Sequence, residues 1–248
     1  KRAPPRTRVR ARPHAIAATL SPARSPGASV TPEQRRFAII AGGMPHIDET
    51  AGEVHVKIVY YGPGLSGRRT NLQYIYGKTR PEARGRFESV ATETAYNLGG
   101  HLVTVHTIVA FEVIPLSIAP IRGCRLRLRL FTTPSALYVE GVGERALEGA
   151  DGVVFVADSQ RVRHDANVAA MEALTAAVTR QGRTLAAMPL VLQYNKRDLP
   201  DILPVTELDA ALNPDGRPYF GAVAPTGQGV FDTLKTVVTP IVGDLRAP

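Results

Sequence analysis

The chain has one cysteine in 248 residues, Cys124. An intramolecular disulfide is therefore impossible, and the composition suits a reducing cytoplasm. Long apolar runs are missing as well. The most apolar region, residues 103–121, is broken by His106, Glu112, Pro115 and Pro120, so no membrane-spanning helix is expected. The N-terminus lacks the continuous apolar segment of a secretory leader. It also lacks acid: residues 1–36 hold nine Lys/Arg and a single carboxylate, Glu33. Of 30 basic and 22 acidic side chains, 21 of each remain for the rest of the chain, so the net charge of +8 sits in the tail and the remainder is neutral. Such an arm can meet nucleic acid or anionic lipid through counterion release. It has no interleaved aromatics for stacking on bases, and a solvated extension is the simpler reading. It opens at Lys1 rather than Met, as an incomplete or misassigned start does.

What is present falls into two parts. Residues 1–50 are rich in Pro, Arg, Ala and Ser without periodicity and read as a disordered tail. Residues 51–248 read as one domain, because 44% hydrophobic content over this length supports one sizeable core. Within it, residues 54–61 form an apolar strand that breaks into a glycine loop at 62–67, and a helix resumes over 70–76. RLRLRLF at 125–131 alternates strictly, with leucines facing inward and arginines outward. It is expected in an antiparallel hairpin at one side of the sheet. Residues 151–157 (DGVVFVA) and 188–195 (MPLVLQYN) are continuous apolar runs, as strands buried on both faces require. Helices are expected over 164–181, 205–212 and 230–242, the last weakened or bent by Pro240, and a short strand over 219–223. Strands alternating with helices in this way predict a doubly wound, mostly parallel sheet.

Two motifs carry chemistry. Gly62-Pro63-Gly64-Leu65-Ser66-Gly67, between strand and helix, is the phosphate loop of a P-loop nucleotide-binding domain: glycines let backbone N–H groups converge on phosphate oxygens at a helix N-terminus. The pattern continues with Lys and then Ser/Thr, the lysine bridging the phosphates and the hydroxyl holding Mg²⁺. This chain has Arg68 and Arg69 instead. Arg68 keeps the charge in a bulkier, planar form, and Arg69 removes the hydroxyl. Thr70 lies one residue too late, about 100° around the helix, so Mg²⁺ binding is doubtful. The second motif is Asn195-Lys196-Arg197-Asp198, directly after a buried strand and about 130 residues beyond the loop. At that place Asn-Lys-x-Asp reads guanine: Asp198 accepts from N1 and the exocyclic amine, and the stem of Lys196 packs on the ring. Ala224-Pro225-Thr226-Gly227 stands where such domains place a last base-contacting loop.

The segments YYGPGLSGRRTNLQYIY, ATET, DGVVFVADSQ, QYNKRDLP and VAPTGQGVFDTLK together resemble the MglA-type bacterial Ras-like GTPases, over roughly residues 54–242. The resemblance implies a Ras-like α/β P-loop fold, a doubly wound and mostly parallel sheet with one antiparallel edge hairpin. It also implies bound GTP or GDP, a role in cell polarity and gliding motility, and a roadblock-domain (MglB-like) partner. Departures from the family pattern lie on the phosphate side. Tyr96 and Asn97 stand where the family has an arginine acting in cis and then a threonine, and the break Gly99-Gly100 comes next. Pro134-Ser135-Ala136 replaces Pro-Gly-Gln, whose glutamine orients water. An arginine finger alone is worth about 10³–10⁵ in rate, so the expectation is guanine-nucleotide binding with lost or very slow hydrolysis, in a switch or scaffold acting through protein partners. The competing readings are an active GTPase completed by a partner, a nucleotide-free scaffold whose pocket is filled by Arg68 and Arg69, and a nucleic-acid-associated protein acting through its tail.

Overall fold

The alternation of β2 decides the architecture. In Glu53–Tyr61, Val54, Val56, Ile58 and Tyr60 face one hydrophobic cluster while Val59 and Tyr61 face another. A strand buried on both sides needs helices on both sides. The computed structural model describes residues 46–98, 101–133 and 146–247, by backbone alone at 46, 89–98 and 101–108. The basic tail, Gly99-Gly100 and Pro134-Ser135-Ala136 lie outside these residues.

In chain order the elements are β1 (His46–Asp48), β2 (Glu53–Tyr61), α1 (Arg68–Lys78), β3 (Glu88–Leu98), β4 (His101–Val113), β5 (Arg125–Thr132), β6 (Gly152–Asp158), α2 (His164–Arg180), β7 (Leu190–Asn195), α3 (Val205–Leu212), β8 (Tyr219–Gly221) and α4 (Val230–Arg246). The sheet runs β3-β4-β5-β2-β6-β7-β8, with β1 also paired to β2. From β5 to β8 neighbours are parallel, and β3, β4 and β5 are joined antiparallel. Leu72 and Ile75 of α1 pack with Val230, Leu234, Val237 and Ile241 of α4 on one face. Leu174 and Val178 of α2 and Leu208 and Leu212 of α3 cover the other. This is the doubly wound, mostly parallel sheet expected, with the β3–β4 hairpin at its edge. Among the described residues, no helix is long and apolar enough to cross a membrane.

The RLRLRLF strand pairs antiparallel with its predecessor β4, as expected, and also has a second neighbour that was not foreseen. β5 is in the sheet interior, parallel to β2 on one side and antiparallel to β4 on the other. Alternation reports which face is packed, and says nothing of the neighbours. Leu126, Leu128 and Leu130 are buried as expected. Arg127 pairs with Glu53 at 2.6 Å and Arg129 with Glu112 at 2.9 Å, so two of the three outward arginines are answered within the sheet.

Three further differences are local. β1 falls within the stretch read as tail and pairs with β2 through His46↔His55 and Asp48↔Glu53. α1 begins at Arg68, two residues earlier than expected, because Gly67 turns the chain at φ 100°. α4 continues past Pro240 to Arg246: the proline sits on the exposed face, while Val237, Val238, Ile241 and Val242 hold the opposite face in the core. The ATET segment lies in β3, where the pairing slips between Ala91↔His106 and Ala95↔Thr104, a bulge that bends the strand.

Candidate functional site

β2 ends level with Phe155 of β6, β6 and β7 end level with each other at Asp158 and Asn195, and the loop 62–67 leaves β2 against these two strands. A Cβ on Gly62 (φ 144°) would lie 2.2 Å from the Val156 carbonyl oxygen, and one on Gly67 (φ 100°) 2.2 Å from Asn195 Nδ2. The loop is thus pressed against β6 and β7 at two points where only glycine fits. Pro63 and Gly64 are buried and Leu65 forms the exposed crest at φ 65°. Ser66 N–H closes onto the Pro63 carbonyl at 3.3 Å, and the Ser66 hydroxyl is buried without a partner among the described residues. α1 starts immediately after, with no side-chain cap and no acid in its first turn. Its uncapped N–H groups and positive dipole end favour an anion.

Arg68 is 6% exposed. Its Nη1 donates to the Thr133 carbonyl at 2.7 Å and to the Thr133 hydroxyl, just past the end of β5. Burial draws its pKa down to about 10, which leaves it charged at neutral pH. Arg69 is exposed and Thr70 half-buried. Magnesium needs near-octahedral oxygen ligands, and among the described residues the oxygens of Thr132, Thr133 and Asp158 do not fit it, being engaged within the protein. The Thr132 hydroxyl accepts from Val109 N–H at 3.0 Å, the Thr133 hydroxyl accepts from Arg68, and Asp158 is engaged by Lys196 at 2.7 Å. Among the described residues, no three His, Cys, Asp or Glu cluster as metal ligands.

The motif after β7 is built differently. Asn195, 1% exposed, donates through Nδ2 to the Ser66 carbonyl at 2.8 Å and accepts through Oδ1 from Ala224 N–H at 3.0 Å. One amide therefore ties the glycine loop to the loop after β8. Lys196, at φ 66°, donates to Asp158 Oδ2 at 2.7 Å and to Gln160 Oε1 at 3.4 Å. Asp198 is exposed and takes no hydrogen bond from a described residue, so its carboxylate is open to a ligand. Ala224 is fully buried. Pro225 and Thr226 are exposed at the rim, the Thr226 hydroxyl donating to the Val223 carbonyl at 3.0 Å.

The structure brings Gly62–Gly67, Arg68, Asn195, Lys196 and Ala224 into one contiguous site. Tyr96 and Asn97 lie in β3 and are described by backbone alone. Three contributors, Asp158, Arg163 and Thr133, escaped the sequence reading. Asp158 anchors Lys196, and its own backbone is held on both sides by Asn167. Arg163 donates to the Gly64 carbonyl at 2.8 Å and lies 3.9 Å from Asp158. Thr133 receives Arg68. Gly227, the last residue of the expected base-contacting loop, leaves no room at φ 88° for a Cβ, which would lie 1.9 Å from the Tyr74 ring of α1. Asp158 had a signal, an acid closing a fully apolar strand. The others meet partners far away in sequence, where no spacing announces them.

No protein-family model matches the chain. It is 45% identical over 203 residues to the Mutual gliding-motility protein MglA of Myxococcus xanthus (strain DK1622), an alignment covering 82% of this chain and 98% of that protein.

Proposed function

Since the chain belongs to the MglA-type family of small GTPases, we propose that it binds GDP or GTP in this pocket, with hydrolysis lost or very slow, and acts as a switch or scaffold in cell polarity and gliding motility. It works in the cytoplasm through protein partners, a roadblock-domain (MglB-like) regulator first among them. The observation that carries the reading is Asn195: it holds the glycine loop and the Ala224 loop at fixed distance while the Asp198 carboxylate stays open beside them.

In this reading Asp198 accepts from N1–H and the exocyclic amine of guanine, the stem of Lys196 lies along the ring with its ammonium fixed by Asp158, and the Ala224–Thr226 loop borders the base. The loop N–H groups and the start of α1 receive phosphate oxygens, with the Ser66 hydroxyl facing into the turn. Arg68 and Arg69 supply two cations where one lysine and a metal ligand belong, so nucleotide is held without magnesium.

The test is to denature the purified protein and identify any released nucleotide by chromatography. GDP or GTP is expected. An empty protein whose thermal midpoint ignores added GDP would contradict the reading. It would favour the nucleotide-free scaffold, which the engagement of Arg68 by Thr133 supports. Single-turnover GTP hydrolysis with and without a roadblock-domain protein separates a pseudo-GTPase from an enzyme completed in trans.

A further inference from the structure

The sheet order gives the pocket a direction. β6, β7 and β8 lie on one side of β2, and β5 lies on the other. Asn195, Lys196, Asp198 and Ala224 all belong to the β7–β8 side, whereas Arg68 reaches the opposite way, across the glycine loop to Thr133 past the end of β5. A nucleotide with its base on the β7–β8 side therefore runs its phosphates over the loop toward β5, onto the place where the guanidinium rests. There Nη1 serves both oxygens of Thr133, and the side chain is 6% exposed. An end-on, two-pronged grip on phosphate through Nη1 and Nη2 takes up the Nη1 N–H groups that now serve Thr133.

We propose that Arg68 is a latch: Thr133 and the nucleotide phosphates compete for one guanidinium, so that ligand binding breaks a contact that stabilises the empty protein. The inference rests on the reading that guanine nucleotide occupies this pocket. A phosphate oxygen, being charged, binds the guanidinium more strongly than a neutral carbonyl and hydroxyl do, so the exchange runs forward when nucleotide arrives and in reverse when it leaves. Release of Thr133 is then driven by the diphosphate itself. The end of β5, held to β2 by Thr133 N–H on the Tyr60 carbonyl at 3.3 Å, registers occupancy of the pocket rather than a third phosphate or a metal.

The experiment uses the full chain and the near-isosteric Thr133→Val, which removes the hydroxyl acceptor and keeps the carbonyl. Thermal midpoint without nucleotide and affinity for fluorescently labelled GDP in EDTA are both measured. The midpoint should fall while GDP binds about tenfold tighter, the size of one hydrogen bond to a charged donor. Guanosine 5′-thiotriphosphate should gain by the same factor. In the Arg68→Lys background, where no fork spans the gap, Thr133→Val should leave GDP affinity unchanged. Unchanged or weakened GDP affinity in Thr133→Val overturns the latch, as does the same tightening in the Arg68→Lys background. If none of the proteins binds GDP, the nucleotide reading itself falls and the latch with it. If all bind GDP alike, only the latch falls.

Discussion

On the β7–β8 side of the pocket, both ends of the Asn195 amide are used inside the protein and the neighbouring Asp198 carboxylate is left open. On the β5 side the arrangement is reversed: the group that would face a ligand, Arg68, is the one used internally. The first half is tied together internally and leaves one carboxylate exposed, the group that meets the base in the proposed reading. The second half holds its charge in reserve. The contrast shows that a loop retaining its glycines, and hence its shape, can exchange the chemistry at its rim. Shape depends on contacts such as Gly62 against Val156 and Gly67 against Asn195, which are indifferent to the side chains at positions 68 and 69.

The largest effect that tests this division is expected from Asn195→Ala. It orphans the Ser66 carbonyl and the Ala224 N–H, at about 1–3 kcal/mol each. The thermal midpoint should fall by roughly 10 °C for about 4 kcal/mol in a domain of this size, and GDP affinity should fall with it, because this residue belongs to both halves. Asp198→Ala should separate the two properties. Titration with labelled GDP should show about 100-fold weaker binding from the loss of two charge-assisted hydrogen bonds, with the midpoint unmoved, since the side chain is exposed and unbonded.

On the other half, the double change Arg68→Lys and Arg69→Thr restores the ammonium and the hydroxyl that the phosphate-loop pattern asks for. GDP should then bind about tenfold tighter with Mg²⁺ than with EDTA, a difference absent from the native chain. Equal affinities in the double variant would mean that the phosphate half differs by more than these two residues.

The smallest effect, and a control for both halves, comes from Lys57 on β2. Burial lowers its pKa from 10.5 to about 8, with Nζ on the Glu148 carbonyl at 2.6 Å. Between about pH 8 and 10.5 the unfolded chain binds more protons than the folded one, so stability rises with pH there. Asp151, pushed from 3.8 up to about 6 by burial, gives the opposite slope: stability falls between about pH 4 and 6 as the folded state releases its extra proton. Lys57→Met should abolish the alkaline rise in denaturation midpoints and leave GDP affinity untouched.

The two halves also differed in how far the sequence could be read. Buried strands announce themselves by unbroken apolar runs, so β6 and β7 were visible, and with them the loop carrying Asn195 and Asp198. The substitutions at Arg68 and Arg69 were equally visible, but not where Arg68 goes. Its partner is 65 residues away, just past a strand whose alternation reveals a packed face and not a neighbour. The same blindness showed β5 its antiparallel neighbour β4 but hid the parallel one, β2. Arg163, bound to Gly64 across 99 positions, had no periodic signal at all. Pattern carries local geometry and burial. Which distant side chains meet is decided by strand order, and that emerges only in three dimensions.

The most direct test of the central claim, that the base-reading half is intact while arginine stands in for metal on the phosphate half, is the affinity of the native protein for GDP in EDTA and in excess Mg²⁺. The account predicts binding in both with the same dissociation constant. Loss of binding in EDTA, or no binding in either, would contradict it.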